Sequence, residues 1–327
     1  MYDLVTFGEA VFRLSTPNFL RLEQATSFNV GVGGSELNIA VGGSRLGLST
    51  AWVSRLPSNA LGRLIRNKAR EHGVDTSHIV WCKEDRVGVY YLEYGASPRG
   101  SNLIYDRKDS ALSRINPDDV AWEPLLKNSK VYMVSGITPA LSGSARDTTV
   151  ESIKAAKRVG CKVCMDVNYR VKLWSQEEAQ NCMVPLMESV DILLTTEEDC
   201  SRALGIRGSD YKEVARILSE KFGIENIVIT LREDLSVWRN NWTAIAFCKG
   251  EYYETRKYEL EIVDRVGGGD SLTAGFIYGY LCGDVQKGLG IGVAFSALKH
   301  THNGDFAWCT LEEAENLVKG ASLRINR

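Results

Sequence analysis

Compact runs of aliphatic and β-branched residues recur along this chain, and longer amphipathic stretches separate them. Apolar positions three and four apart mark helix faces, and short apolar runs mark strands. Leu4–Gly8 and Thr50–Ser54 read as strands, and Ser35–Leu46 reads as a helix opening at Gly33-Gly34. Leu61–His72 reads as a second helix, with Leu61, Leu64, Ile65, Ala69 and His72 near one face. Gly73 suits the position just past its end. Between Val87 and Arg107 the texture changes: two β-prone segments, Val87–Tyr94 and Asn102–Arg107, flank Gly95, Pro98 and Gly100, which predicts a hairpin.

From Lys130 onward strand and helix alternate. Strands are expected at Val131–Ser135, Lys162–Val167, Asp191–Thr195 and Asn226–Leu231. Helices are expected near Ala145–Val159, Gln176–Glu188 and Tyr211–Phe222. This rhythm predicts an α/β protein with a parallel sheet covered by helices. In such sheets ligands sit beyond the carboxyl ends of the strands. Three polar sets fall there: Asn168 with Arg170, Thr196 with Asp199, and Thr230 with Arg232.

Composition narrows the class. Hydrophobic residues make up 44% of the 327 positions, enough for a large core. With 39 basic and 41 acidic residues there is no basic excess to draw nucleic acid or an anionic membrane. No apolar run approaches the roughly 18 residues of a membrane helix. Met1–Val11 reads as a first strand rather than a signal peptide. Of the eight cysteines only Cys161 and Cys164 are close, and strand alternation turns them to opposite faces. Reduced thiols and a cytoplasmic protein are expected. His72, His78, His300 and His302 form no zinc-like set.

The sharpest chemical segment is Asp264-Arg265-Val266-Gly267-Gly268-Gly269-Asp270-Ser271, followed by a small-residue helical run. Three glycines opening a helix offer an anion cradle of backbone N–H groups, reinforced by the helix dipole. A carboxylate there would repel a bound phosphate. Its presence makes sense if Asp270 takes a proton from an attacking hydroxyl while the amides hold a transferring phosphoryl group. A plain glycine turn with Asp270 capping the helix is the competing reading.

A second segment, Gly31-Val32-Gly33-Gly34-Ser35-Glu36-Leu37-Asn38, fails the dinucleotide fingerprint because Glu36 stands where a third glycine is required. It suits either a polyhydroxyl ligand or a capped helix start. There is no Gly-Lys-Ser/Thr phosphate loop and no Gly-x-Ser-x-Gly elbow.

Together, in this order and at opposite ends of the chain, the two glycine segments resemble the two signatures of the ribokinase-like (PfkB) carbohydrate kinases. The resemblance runs from Leu4 to about Glu313 and implies a three-layer α/β/α sandwich. It implies one kinase core over residues 1–327, with a small β-sheet lid from about 12–34 and 86–110. It implies ATP and Mg²⁺ as cofactors, Asp270 as base and Gly267, Gly268 and Gly269 as the anion hole. The family commonly carries alanine at the position of Gly268.

Within that family the chain resembles the 2-keto-3-deoxygluconate kinases, through Gly34-Ser35-Glu36-Leu37-Asn38, Tyr105-Asp106-Arg107-Lys108, Asp166-Val167-Asn168-Tyr169-Arg170 and Gly304-Asp305-Phe306. The expected sugar-acid contacts are Gly34, Ser35, Asn38, Tyr90, Tyr105, Arg107, Arg170 and Asp305. A substrate carboxylate is what paired arginines would recognise. Asn168, Thr196, Thr230, Arg232, Gly267 and Gly269 are the expected nucleotide contacts.

Two departures stand out. The family's metal-organising Asn-x-x-Glu is Thr196-Glu197-Glu198-Asp199 here, which leaves Asp199 as the outer-shell Mg²⁺ candidate. Its glycine-containing nucleotide loop is Thr230-Leu231-Arg232-Glu233-Asp234. A kinase for 2-deoxy-5-keto-gluconate, fructose or a nucleoside shares the signatures. A sugar-acid-binding regulator and a dehydrogenase are the readings from other classes. Pairing of lids between two copies is a further expectation of the resemblance.

Overall fold

The computed structural model describes residues 1–320. Its strands are β1 (Tyr2–Phe7), β2 (Val11–Ser15), β3 (Asn29–Gly33), β4 (Thr50–Pro57), β5 (Ile79–Cys82), β6 (Gly88–Glu93), β7 (Asn102–Asp106), β8 (Ser129–Ser135), β9 (Lys162–Asp166), β10 (Ile192–Thr195), β11 (Asn226–Ser236), β12 (Arg239–Cys248), β13 (Glu251–Glu254) and β14 (Tyr258–Glu261). The large sheet runs β13-β12-β11-β10-β9-β8-β1-β4-β5, with β14 also on β12. It is parallel from β11 through β5.

Helices cover both faces. Trp122–Leu126, Gly143–Arg158, Gln176–Met183 and Tyr211–Phe222 pack on one side. Ser35–Arg45, Ala60–Glu71, Gly268–Leu281, Val285–Lys299 and Leu311–Val318 pack on the other. Cys161 and Cys164 lie in the cores on opposite sides of the sheet, and all eight cysteines are unpaired. Among the described residues no helix is long and apolar enough to cross a membrane.

Three expectations need correction. The predicted helix over 176–188 ends at Met183 and continues as a 3-10 turn from Val184, because Pro185 removes a backbone donor. In Ala60–Glu71 the buried positions are Gly62, Ile65 and Ala69, while Leu61 and Leu64 face solvent at 52% and 37% exposure. Residues 230–234 are no loop: β11 runs on to Ser236 and pairs antiparallel with β12.

A second sheet, β3-β2-β6-β7, stands over the carboxyl ends of the large one. Its cross-strand register puts Gly31, Arg13, Tyr90 and Tyr105 in one row. The neighbouring row, Val30, Leu14, Tyr91 and Ile104, points to the opposite face, as strand alternation demands. Val30 and Ile104 in that outer row are exposed.

The helices Gly268–Leu281 and Val285–Lys299 meet along a glycine seam. A Cβ on Gly275 or Gly279 would run into the backbone of Gly292 or Gly288. Gly42, in the helix Ser35–Arg45, lies against the Ala274 methyl, which a Cβ there would strike. These contacts bring helix axes closer than side chains would permit.

Candidate active site

Asp270 lies in the first turn of Gly268–Leu281, whose N-cap Gly267 has φ +85°. Asn38 Nδ2 donates to its Oδ2 and Ser35 Oγ to its Oδ1, each at 2.7 Å. Asn168 Nδ2 in turn donates to Ser35 Oγ at 3.1 Å. The carboxylate is therefore held directly by two residues of the helix Ser35–Arg45 and, through Ser35, by Asn168 just past β9. Burial raises its proton affinity above the usual aspartate range, against the opposing pull of Asn38, Ser35 and the charge of Arg170. Such a group suits proton acceptance near neutral pH better than an ordinary aspartate does.

The three glycines differ in what surrounds them. A side chain on Gly267 would strike the Asp305 carbonyl, and one on Gly268 would strike the imidazole of His300. Gly269 faces open space, the arrangement expected where a ligand approaches the backbone. His300 is buried, its Nδ1 bonds the Ser296 carbonyl at 2.7 Å, and Trp242 packs beside it. Burial holds the imidazole down to about 4, so it is neutral. Ser296 Oγ also donates to the Gly268 carbonyl at 2.6 Å.

Beside Asp270, at the end of β9, stands Asp166. Burial and the charges of Asp270 and Asp199 raise its carboxyl well above the ordinary range, with Arg170 opposing. Asp199 is likewise raised by burial and held down by Arg170. Its backbone N–H donates to the Thr196 hydroxyl at 3.0 Å, so Thr196 caps the short helix Glu197–Asp199. Thr230 Oγ1 turns to the Thr195 carbonyl at 3.4 Å. Arg232 and Arg265 share one carboxylate, Asp234, at 3.3 and 3.8 Å. Burial and the nearby Arg232 charge depress the proton affinity of Arg265.

On the lid, the rings of Tyr90 and Tyr105 are 5.9 Å apart. The guanidinium of Arg107 lies 5.7 Å from the Tyr105 ring centre and Lys172 Nζ 6.0 Å from it. Lys172 crosses from the core to the lid, donating to the Leu103 carbonyl at 2.9 Å. Arg107 is paired with Glu9, through Nε at 2.8 Å and through Nη2. Asp305 accepts from Tyr90 at 2.7 and 2.9 Å and from Arg13 at 2.7 Å. Gly34 packs on the backbone of Glu9 and donates its N–H to Asn38 Oδ1 at 3.3 Å.

The structure thus joins Ser35, Asn38 and Asn168 to Asp270, and gathers Tyr90, Tyr105, Arg107 and Asp305 under the lid. Arg232 sits apart with Arg265. Sequence reasoning missed Glu9, Arg13, Asp166, Lys172, Arg265 and His300 as members of the site. Asp166, a carboxylate closing a parallel strand, carried a usable signal. The others are recognisable only through partners far away in sequence.

Comparison with known proteins decides the class. The model of the pfkB family of carbohydrate kinases matches residues 1–311. The chain belongs to this family. As a pfkB kinase it is a phosphotransferase with an alcohol group as acceptor. It is 38% identical over 326 residues to a 2-dehydro-3-deoxygalactonokinase of Haloferax volcanii, covering 99% of each chain. It is 31% identical to a 2-dehydro-3-deoxygluconokinase of Thermoproteus tenax, covering 98% of this chain and 95% of the relative. The crystal structure of a 2-dehydro-3-deoxygluconokinase from Thermotoga maritima superposes with a TM-score of 0.95 at 40% identity, covering 98% of this chain and 99% of that one. The pfkB kinase thus has the ribokinase-like α/β fold expected from its glycine segments.

Proposed function

We propose that this kinase phosphorylates the terminal hydroxyl of 2-keto-3-deoxygluconate, giving 2-keto-3-deoxy-6-phosphogluconate, with ATP and Mg²⁺. The observation that carries the substrate class is the flank of Tyr105, where the Arg107 guanidinium, paired with Glu9, and the Lys172 ammonium lie 5.7 and 6.0 Å from the ring centre. A neutral hexose needs no such pair, whereas a sugar acid brings a carboxylate for it. The names of the three relatives, all 2-dehydro-3-deoxy sugar-acid kinases, agree with this class.

In the transfer, the substrate hydroxyl gives its proton to Asp270 as its oxygen attacks the γ-phosphorus. The bond to the β–γ bridging oxygen breaks and ADP departs. The Gly269 amide at the helix start stabilises the charge on the moving phosphoryl oxygens, and the Gly268 amide joins it only by leaving the Arg265 carbonyl, to which it donates at 3.3 Å. Ser35 and Asn38 hold the Asp270 oxygens while this happens. Arg232 and Arg265, two cations on one carboxylate, suit the nucleotide phosphates.

The donor set also fits Mg²⁺, because Asp166 and Asp199 are hard oxygen ligands whose crowded negative charge a divalent cation relieves. These two would hold it through retained waters, and when bound it neutralises charge on the phosphates.

The outer lid row, with Val30 and Ile104 exposed, supports pairing of two copies through the lid, which sedimentation of wild type against Val30→Glu tests.

A coupled ADP-release assay tests the substrate reading with 2-keto-3-deoxygluconate, its galacto epimer, 2-deoxy-5-keto-gluconate and fructose. Preference for the galacto epimer would change only the stereochemical assignment. Preference for fructose would overturn the sugar-acid reading.

A further inference from the structure

Arg13 belongs to the lid, yet its side chain is only 3% exposed and both of its bound carboxylates belong to the core. Nη1 donates to Asp305 Oδ1 at 2.7 Å, and Nη2 reaches Asp264 Oδ2 and the Tyr94 hydroxyl. Its partners frame the glycine loop. Asp264 begins that segment, and its two oxygens accept the N–H groups of Val266 at 3.1 Å and Gly304 at 3.0 Å. The Asp264 carbonyl accepts from the buried Lys299 Nζ at 3.1 Å. The backbone carbonyl of Asp305 presses on Gly267, the N-cap of the helix that carries Asp270. On the other side, Asp305 Oδ2 lies against Gly33, where β3 hands over to the helix bearing Ser35 and Asn38.

We propose that Arg13 is a positioning residue for phosphoryl transfer: by bridging Asp264 and Asp305 it ties the lid sheet to the glycine loop and sets the amides beside Asp270. A guanidinium performs this because its planar fork aims two fixed nitrogens at two carboxylates, a geometry that the point charge of an ammonium on a flexible stem does not preset. Tyr90 and Tyr94 complete the bridge from the lid side, on Asp305 and Asp264 respectively. Without the bridge, two buried carboxylates lose their shared counter-charge. They part, and the loop shifts with them. The amides must match the transferring group closely, so small displacements act on the chemical step rather than on ground-state binding. This inference rests on Asp270 and the glycine amides being the transfer site.

The test measures kcat, both KM values and thermal unfolding for wild type, Arg13→Lys, Arg13→Met and Tyr94→Phe. Each is assayed with ATP and the sugar that wild type turns over best. If that sugar is neutral, the substrate reading fails while the comparison among variants keeps its meaning. Arg13→Lys should fold and lose roughly tenfold in kcat, with both KM values within about threefold of wild type, and Arg13→Met should lose roughly a hundredfold, the scale of a displaced catalytic geometry. Tyr94→Phe, which adds no buried charge, should show a smaller loss of the same kind. Full kcat in Arg13→Lys overturns the proposal. So does a loss confined to the sugar KM, which would make Arg13 a lid contact alone. If neither arginine variant folds, an unchanged kcat in Tyr94→Phe overturns it.

Discussion

Ser35 and Asp270, 235 positions apart, share a 2.7 Å hydrogen bond in which the serine hydroxyl donates. Because Ser35 accepts from the Asn168 amide, the chain Asn168, Ser35, Asp270 has one direction and ends on an ionised carboxylate. Asp270→Ala should therefore lower kcat by about 10²–10⁴-fold, the usual worth of general-base assistance, while ATP binding by calorimetry stays near wild type. Ser35→Ala should cost roughly tenfold, the scale of one lost charged hydrogen bond. Retention of normal turnover by Asp270→Ala would remove it as the base.

The raised proton affinity of Asp270 sets a pH signature. The carboxylate must be ionised to act, so kcat should fall on the acid side through a pKa above the unperturbed aspartate value of about 3.9. Asn38→Ala removes a bond to the ionised form and should move that limb to higher pH. The stability sign is opposite to that of a salt-bridged aspartate. A folded pKa above the unfolded one favours the folded state at low pH, and that contribution is lost as pH rises through the folded pKa. Asp270→Asn should accordingly be inactive yet unfold at a higher temperature than wild type at pH 7, with the gap closing as pH falls. Equal unfolding temperatures at both pH values would contradict this.

Gly268 and His300 form a steric pair, since a methyl group on Gly268 would enter the imidazole. Gly268→Ala should lose stability by about 1–3 kcal/mol, as overpacked sites do. Adding His300→Ala should restore part of that loss. Gly269→Ala, with open space around it, should fold normally and still lose turnover. Circular dichroism melts beside kcat distinguish the two glycines.

The contributions of Lys172 and Arg107 to catalysis should depend on an acidic substrate. Lys172→Met should cost roughly ten- to a hundredfold in kcat/KM with a keto sugar acid, the worth of one charged hydrogen bond, and far less with fructose. Equal losses on both substrates would indicate damage to the lid instead. Arg107→Met should additionally destabilise the fold, because Glu9 would be left buried without its partner.

Arg265→Gln should raise KM for ATP and leave KM for the sugar unchanged, because Arg265 and Arg232 share Asp234 and neither is hydrogen-bonded to the residues expected to contact the sugar. Arg265→Lys should recover part of the loss. An unchanged ATP KM would assign this pair to the surface.

The parallel sheet and the glycine segments were legible because their signals are local. Strands such as Val131–Ser135 are continuous apolar runs, and Gly267–Asp270 is contiguous in sequence. The extension of β11 was obscured by polar residues at 232–234, which the pairing with β12 holds in a strand regardless. Arg13 reads as an ordinary outward-facing residue in Val11-Phe12-Arg13-Leu14. Its meaning depends on Asp264, 251 positions later, and Asp305, 292 positions later. His300 announces itself only through the missing methyl group at Gly268. Local pattern therefore revealed the frame and the carboxylate proposed as base, whereas the charge network required three-dimensional proximity.

The glycine seam has an evolutionary corollary. With Gly275 against Gly292 and Gly279 against Gly288, the helix bearing Asp270 is locked backbone to backbone to Val285–Lys299, and Gly42 leaves room for the Ala274 methyl where that helix meets the one bearing Ser35 and Asn38. Nearly any substitution there pushes axes apart and disturbs the base, so this region has little freedom to drift. The lid strands carry the side chains proposed to face the sugar on a thin sheet with exposed residues in its outer row, where exchange should be tolerated better. A laboratory selection for a new acceptor sugar should therefore accumulate its changes in the lid strands 88–93 and 102–106, spare Arg13 and Gly33, and leave the seam untouched.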